Sequence, residues 1–265
     1  MGNGFKRQPM TVNLHTHTVR CDHAGGEDRD YVEAALAGGL RKLGFADHSW
    51  YVIDGGDYSS GMHVTTEKNE DYVKSVLSLR EEYADRIDIK LGYEAEYYPK
   101  HFPTFIEMVR RYPIDYLILG PHFTNNKYDG IHTYRTTDDR DLLHLQINQI
   151  IEAIETGVFT YIAHPEIMNF ADDTVYEEEY SRLIERAMEL DVLLEINLLG
   201  IRGGRTYPNE RFVKLCGRMG AKMCIGSDAH FPQDVCDRAS YEKALDMAEK
   251  YGVEIVYDPV LKPIW

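Results

Sequence analysis

Seven short apolar runs punctuate this chain, and almost every one stops on a residue able to hold a metal ion. In order, the stops are Leu14-His15-Thr16-His17, Ala46-Asp47-His48, Gly92-Tyr93-Glu94, Gly120-Pro121-His122, Ala163-His164, Ile196-Asn197 and Gly226-Ser227-Asp228-Ala229-His230. Scattered histidines would not keep that register. A barrel of parallel strands brings all its carboxyl ends to one rim, so residues far apart in sequence meet in one cavity. The pattern predicts a polynuclear metal site at that rim, of a hydrolytic kind.

The runs alternate with helical patterns, which predicts an α/β chain whose parallel sheet is wrapped by helices. Strands are expected over Thr11–His15, Leu43–Asp47, Ile87–Tyr93, Asp115–Gly120, Thr160–Ala163, Val192–Asn197 and Lys222–Ser227, with a small one at Val253–Tyr257. Helices are expected over Asp28–Leu40, Glu67–Ala84, Phe102–Tyr112, Asp138–Thr156, Tyr176–Leu190, Asn209–Met219 and Ser240–Tyr251. The polar, glycine-rich stretch from Trp50 to Thr66 reads as a long loop, and long loops in compact domains tend to be functional. At 265 residues, 43% of them apolar, one large barrel is enough. Residues 1–10 read as a tail and 11–265 as a single domain.

The formal charge of −15 argues against a nucleic-acid polymer as partner, because phosphate-backbone binders carry a basic footprint. No apolar run approaches the roughly 20 residues of a bilayer span. Met1 to Met10 holds basic residues without an apolar stretch, which does not resemble a secretory leader. A cytoplasmic protein with reduced thiols at Cys21, Cys216, Cys224 and Cys236 is the expectation. Cys21 lies between His17 and His23 and reads as a loop thiol near the site.

His15-Thr16-His17 is the centre of the metal case. Residues i and i+2 of a strand share a face, so both imidazoles can grip one ion. Asp228-Ala229-His230 repeats the spacing at the last barrel strand, the neighbour of the first once a barrel closes. Of eleven histidines, seven fall in the pattern: His15, His17, His23, His48, His122, His164 and His230. Among the rest, His144 reads as a plain helix residue and His101 as a solvated one, whereas His63 and His132 lie in loops that can reach a substrate. Imidazole and carboxylate suit zinc, iron or manganese better than calcium. Nine candidates are too many for one tetrahedral ion and about right for three.

At these residues the sequence resembles the PHP (polymerase and histidinol phosphatase) superfamily, most of all its single-domain histidinol-phosphate phosphatases. The combination carries the likeness: His-x-His with a third histidine six residues on, Asp-His, Gly-x-Glu, Gly-x-His, Ala-His-Pro and Gly-Ser-Asp-x-His. The resemblance implies a distorted, TIM-like (β/α)7 barrel with a trinuclear centre. It assigns His15, His17, Glu94 and Asp228 to one ion and His23, His48 and His230 to a second. His122 and His164 take a third, with Glu94 bridging. Glu96, two residues along the same strand, is the rival of Glu94 or else a substrate contact. The family's phosphate-clamping arginine falls on Arg202, with Arg205 in reserve.

The implied activity is hydrolysis of a small phosphate monoester, histidinol phosphate above all, by metal-activated water. Asp228, His230 and Arg202 are the catalytic candidates. The sequence departs from the family at Ser49-Trp50-Tyr51, at Gly120-Pro121-His122 and at apolar Leu198 and Leu199, all where a substrate would be read. Nucleotide, sugar-phosphate or phosphotyrosine substrates, a phosphodiesterase, and a metal-binding module without turnover therefore stay open. There is no Cys-x5-Arg loop and no Gly-x-Ser-x-Gly elbow, so a covalent intermediate is not indicated.

Overall fold

A computed structural model describes residues 5–53, 56–57, 64–126 and 130–264. Eight parallel strands form one curled sheet: β1 (Val12–Asn13), β2 (Lys42–His48), β3 (Asp88–Ala95), β4 (Tyr116–Leu119), β5 (Phe159–Ile162), β6 (Leu193–Asn197), β7 (Lys222–Gly226) and β8 (Glu254–Ile255). Their order in the sheet is their order in the chain. Helices α1 (Asp28–Gly38), α2 (Thr66–Glu82), α3 (Phe102–Val109), α4 (Arg140–Glu155), α5 (Asp173–Glu189), α6 (Leu198–Gly203), α7 (Glu210–Met219) and α8 (Arg238–Tyr251) accompany them. None of the described helices is long and apolar enough to cross a membrane.

The first seven strands close on themselves at the carboxyl rim. Thr16 and Ala229 form a parallel bridge, in which His17 N–H donates to the Ala229 carbonyl at 2.9 Å and Ala229 N–H to that of His15 at 3.2 Å. At the opposite end the eighth strand pairs with the start of β7, Lys222 beside Glu254. The chain just beyond it meets the start of β2 through the Lys42–Asp258 ion pair. This arrangement is the distorted seven-stranded barrel, with a short eighth strand at its base.

Two cores follow from strands covered on both faces. Val12, Leu14, Ala46, Tyr116, Ile118, Tyr161, Ala163 and Cys224 cluster on the inward face, at the spacing of two that a strand imposes. The Tyr116 hydroxyl crosses this interior to donate to the Leu14 carbonyl at 2.7 Å. Its ring leaves no room for a side chain at Gly92, where a Cβ would come within 2.4 Å of it. A larger core joins the outer strand faces to the helices.

Several boundaries differ from the sequence expectation for local reasons. Asn13 Oδ1 accepts from His15 N–H at 3.1 Å, so β1 ends early and the ladder resumes at Thr16. Asp172 caps α5, accepting from Thr174 and Val175 N–H, so that helix begins at Asp173 rather than Tyr176. The short α6 has no sequence periodicity to betray it; Asn197 caps it by accepting from Gly200 N–H at 3.0 Å. The expected tail is docked along residues 5–10: Arg7 pairs with Glu242, Asp246 and Glu249 of α8.

Candidate metal centre

The Thr16–Ala229 bridge sets the site's geometry. With Thr16 and Ala229 in the ladder, His15 and His17 on one side and Asp228 and His230 on the other meet across the seam. His17 Nε2 stands 3.3 Å from Asp228 Oδ1, and the His17 and His230 rings stack at 4.2 Å. Register between β2 and β3 puts His48 beside Glu94. Glu94 is the hub: its carboxylate lies 3.6 Å from His15, 3.5 Å from His17, 3.3 Å from His48, 3.5 Å from His122 and 2.9 Å from His164. Gly120 leaves the space, since a Cβ there would come within 2.7 Å of Glu94 Oε1. His23 completes the convergence, its ring 4.8 Å from His230 and 5.2 Å from His48. Asp228 and His164 both adopt left-handed backbone (φ 47° and 30°), strain of a kind that collects at functional sites.

Most of these separations are too long for hydrogen bonds and right for two donors sharing an ion. At about 2.1 Å from a tetrahedral ion, two donors stand roughly 3.4 Å apart. The deepest atoms also lack other partners. His15 Nε2, both ring nitrogens of His17, His164 Nδ1 and Asp228 Oδ1 are buried with no hydrogen-bond partner among the described residues. Five compact donor groups emerge among the described residues, His15/His17/Asp228, His17/His48/His230, His48/Glu94/His122, Cys21/His23/His230 and His17/Cys21/Asp47, each within 4.8 Å. The residues present fit divalent metals.

A model of the PHP domain family matches residues 13–198. The chain belongs to this family. A protein of Deinococcus radiodurans named probable histidinol-phosphatase is 28% identical over 83% of this chain and 86% of its own length. One of the same name from Schizosaccharomyces pombe is 24% identical over 92% and 88%. In fold, the chain is similar to the crystal structure of histidinol phosphate phosphatase from Lactococcus lactis complexed with zinc, L-histidinol and phosphate. That likeness has a TM-score of 0.72 at 19% identity, covering 93% of this chain and 95% of that one.

The charge pattern of this PHP site is that of a metal centre holding protons. Burial works against ionising Glu94, but His122, His15 and His48 keep its carboxyl well below the usual range. Asp228 is held low in the same way by His15, His17 and His230. Burial opposes a charged His15, yet Glu195, Asp228 and Glu94 together push it up to about 10. His17 is raised well above its ordinary value against the same penalty, by Asp228 and Asp47. His48 goes the other way, pushed well down by burial and then by the charge of His17. Cations bound here would replace those protons, the usual coupling of metal uptake to proton release.

A second layer orients the donors, and sequence reading gave it no role. Fully buried Glu195 holds His15 Nδ1 at 2.8 Å and accepts from the His164 amide at 3.0 Å. A lone carboxylate inside the apolar run Leu193–Ile196 was the available signal. Asp47 accepts from Thr18 N–H and hydroxyl and lies 3.5 Å from His17 Nδ1. Asn197 Nδ2 donates to Asp228 Oδ2 at 3.0 Å, and the Cys21 carbonyl holds His23 Nδ1 at 2.7 Å. Such partners fix which ring nitrogen faces the metal.

Three residues stand elsewhere than the sequence suggests. Glu96, expected at the substrate, is buried behind His122, holding Nδ1 at 2.7 Å and accepting from its amide at 3.2 Å. Arg202 does not reach the cavity. Its guanidinium donates to the carbonyls of Ser227 at 2.7 Å and Asp228 at 2.5 Å, so it braces the Asp228 turn. His101 is buried beside the start of α3 rather than solvated.

The cavity over the centre is about 250 Å³, and Arg205 is the arginine in its wall, with His132, Tyr134, Ile167, Leu199 and Tyr207. The Arg205 guanidinium lies 5.5 Å from the Tyr134 ring and 5.7 Å from that of Tyr207, and donates to Tyr207 Oη at 2.5 Å. His144 pairs with Glu179 on the outer surface. His63 lies outside the described residues.

Proposed function

We propose that this chain is a metal-dependent phosphomonoesterase that hydrolyses L-histidinol phosphate to L-histidinol and phosphate, with residues 11–265 acting as one unit. The observation that carries the reading is the convergence of nine side chains able to donate to metals beneath a cavity whose wall holds, among the described residues, one arginine. Relatives named probable histidinol-phosphatase, matched over most of their own length, support the substrate. The proposed centre is trinuclear: His15, His17, Glu94 and Asp228 hold one ion, His23, His48 and His230 the second, and His122 and His164 with Glu94 the third. Zinc, manganese and iron all suit these donors.

When bound, the ions supply activated water at neutral pH and neutralise phosphoryl charge. The protein's own groups do the rest. Arg205, held beside the Tyr134 and Tyr207 rings, takes two phosphoryl oxygens with its planar fork and keeps the ester in line. His230, sequence candidate for proton transfer, serves as a ligand and has no free lone pair for that task. His132 lines the same cavity outside every donor group and carries the proton to the departing alcohol. Ile167, Leu199, Tyr134 and Tyr207 offer an apolar and aromatic wall to an imidazole ring.

The test is phosphate release by metal-reconstituted protein across histidinol phosphate, nucleotides, sugar phosphates, phosphotyrosine and p-nitrophenyl phosphate. Highest kcat/KM on histidinol phosphate is the expected result. A metal-loaded, folded protein that hydrolyses none of them would overturn it in favour of a binding module.

A further inference from the structure

The metal position formed by His23, His48 and His230 differs from the other two in having only neutral imidazoles. A dication there has no anionic protein ligand of its own. One potential anion is close by and has no role in the proposed chemistry. Cys21 is fully buried, and its Sγ falls with the donor atoms of His23 and His230 inside one 4.8 Å group. The same sulfur forms a second group with His17 and Asp47. His17 is itself buried, and its Nδ1 edge, which faces Asp47 at 3.5 Å, has no hydrogen-bond partner among the described residues. Two features, a thiol and an unpartnered imidazole edge, thus meet in one small space beside the His17, His23 and His230 rings. The thiol is held there by a contact with the Thr18 carbonyl at 3.1 Å, a weak restraint because S–H is a weak donor.

We propose that Cys21 is an auxiliary ligand of the His23–His48–His230 position, recruited by thiophilic divalent cations and left out by hard ones. This rests on the metal centre proposed for the rim. Binding is a proton-for-metal exchange: the S–H bond breaks, a sulfur–metal bond forms, the proton leaves to solvent, and nothing is oxidised or reduced. A thiolate joining His23 and His230 would occupy a position that catalytic sites keep open. Soft ions such as cadmium, and zinc to a lesser degree, are therefore held more tightly here and work less well, while manganese leaves the position open. The protein sorts metals by whether its thiol joins them.

The experiment titrates the metal-stripped full chain with cadmium, in the unaltered protein and in Cys21→Ser. Bound cadmium is counted by mass spectrometry, and the sulfur-to-cadmium charge-transfer absorption is followed in the ultraviolet. The expected result is an absorption in the unaltered protein that is missing from Cys21→Ser, with cadmium at one position held roughly tenfold or more weakly, as for loss of a supporting partner. Manganese binding should be the same in both. Cadmium uptake without that absorption, or an absorption that persists in Cys21→Ser, would overturn the proposal and leave the metal centre standing. No cadmium uptake at all would overturn both. Should the serine variant misfold, Cys21→Ala and the cadmium NMR shift of the unaltered protein decide between sulfur and nitrogen–oxygen coordination.

Discussion

Glu195→Gln is the change that best separates the metal centre from what supports it. Glu195 Oε1 faces His15 Nδ1 at 2.8 Å, while Oε2 accepts from His164 N–H at 3.0 Å and from Asn197 Nδ2 at 2.8 Å. All three partners present donors, and glutamine has one acceptor and one donor. Whichever way its amide turns, an NH2 confronts an N–H. Facing His15, it forces the ring proton onto Nε2 and removes the lone pair that His15 offers the centre. Facing the other side, it releases His164 from the turn that holds it at φ 30°. Either outcome forfeits at least one charge-assisted hydrogen bond, about 1.5–3 kcal/mol. That corresponds to about 10- to 150-fold in metal affinity. Equilibrium dialysis against a competing chelator, with bound metal counted by mass spectrometry, reads the loss; far-UV circular dichroism confirms the fold. Turnover should fall in step and recover with excess metal. A folded variant with parental affinity for every ion and parental turnover would refute the role given to Glu195.

Arg205→Lys should weaken capture of phosphate esters and of inhibitory inorganic phosphate by about 1–3 kcal/mol without changing metal content, because lysine loses the bidentate fork. Arg202→Lys should do the reverse, lowering metal retention through the Asp228 turn and sparing phosphate affinity; equal effects of the two would undo the assignment of the clamp to Arg205. Asp228→Asn should abolish turnover in a chain that stays folded, and activity within about tenfold of the parent, the lower end of what even an outer-layer partner costs, would remove Asp228 from the ligand set. In the metal-free protein His15 is raised from 6.5 to about 10, so its stabilising effect is complete below 6.5 and fades as pH rises through about 10. Metal uptake must expel that proton, so apparent affinity should climb with pH, and calorimetry in buffers of different ionisation enthalpy should register proton release; uptake without release would contradict a protonated His15.

What could be read in the sequence is what strand geometry dictates. A residue at the carboxyl end of a buried parallel strand is marked by its own run, so His15, His17, His48, Glu94, His122, His164, Asp228 and His230 could be placed at the rim from the sequence alone. Period two also put Glu94 and Glu96 on one strand face, but periodicity cannot say which of two carboxylates points into the histidine cluster and which supports a histidine from behind. That choice depends on Gly120, whose missing Cβ opens the space filled by Glu94. The two arginines could not be told apart for a related reason. Arg202 and Arg205 are separated by less than a helical turn, and α6 is too short to leave a pattern, so their directions are set by tertiary contacts alone. Arg202 is drawn to the Ser227 and Asp228 carbonyls, while Arg205, beyond the left-handed Gly204, folds back beside Tyr134 and Tyr207. The second layer was legible only as an anomaly, a charged Glu195 where an apolar strand should have none. Burying a carboxylate is costly unless it is paired, so an acid in such a run implies partners also buried, and in a chain whose strand ends carry histidines those partners are the rim histidines, here His15 and His164.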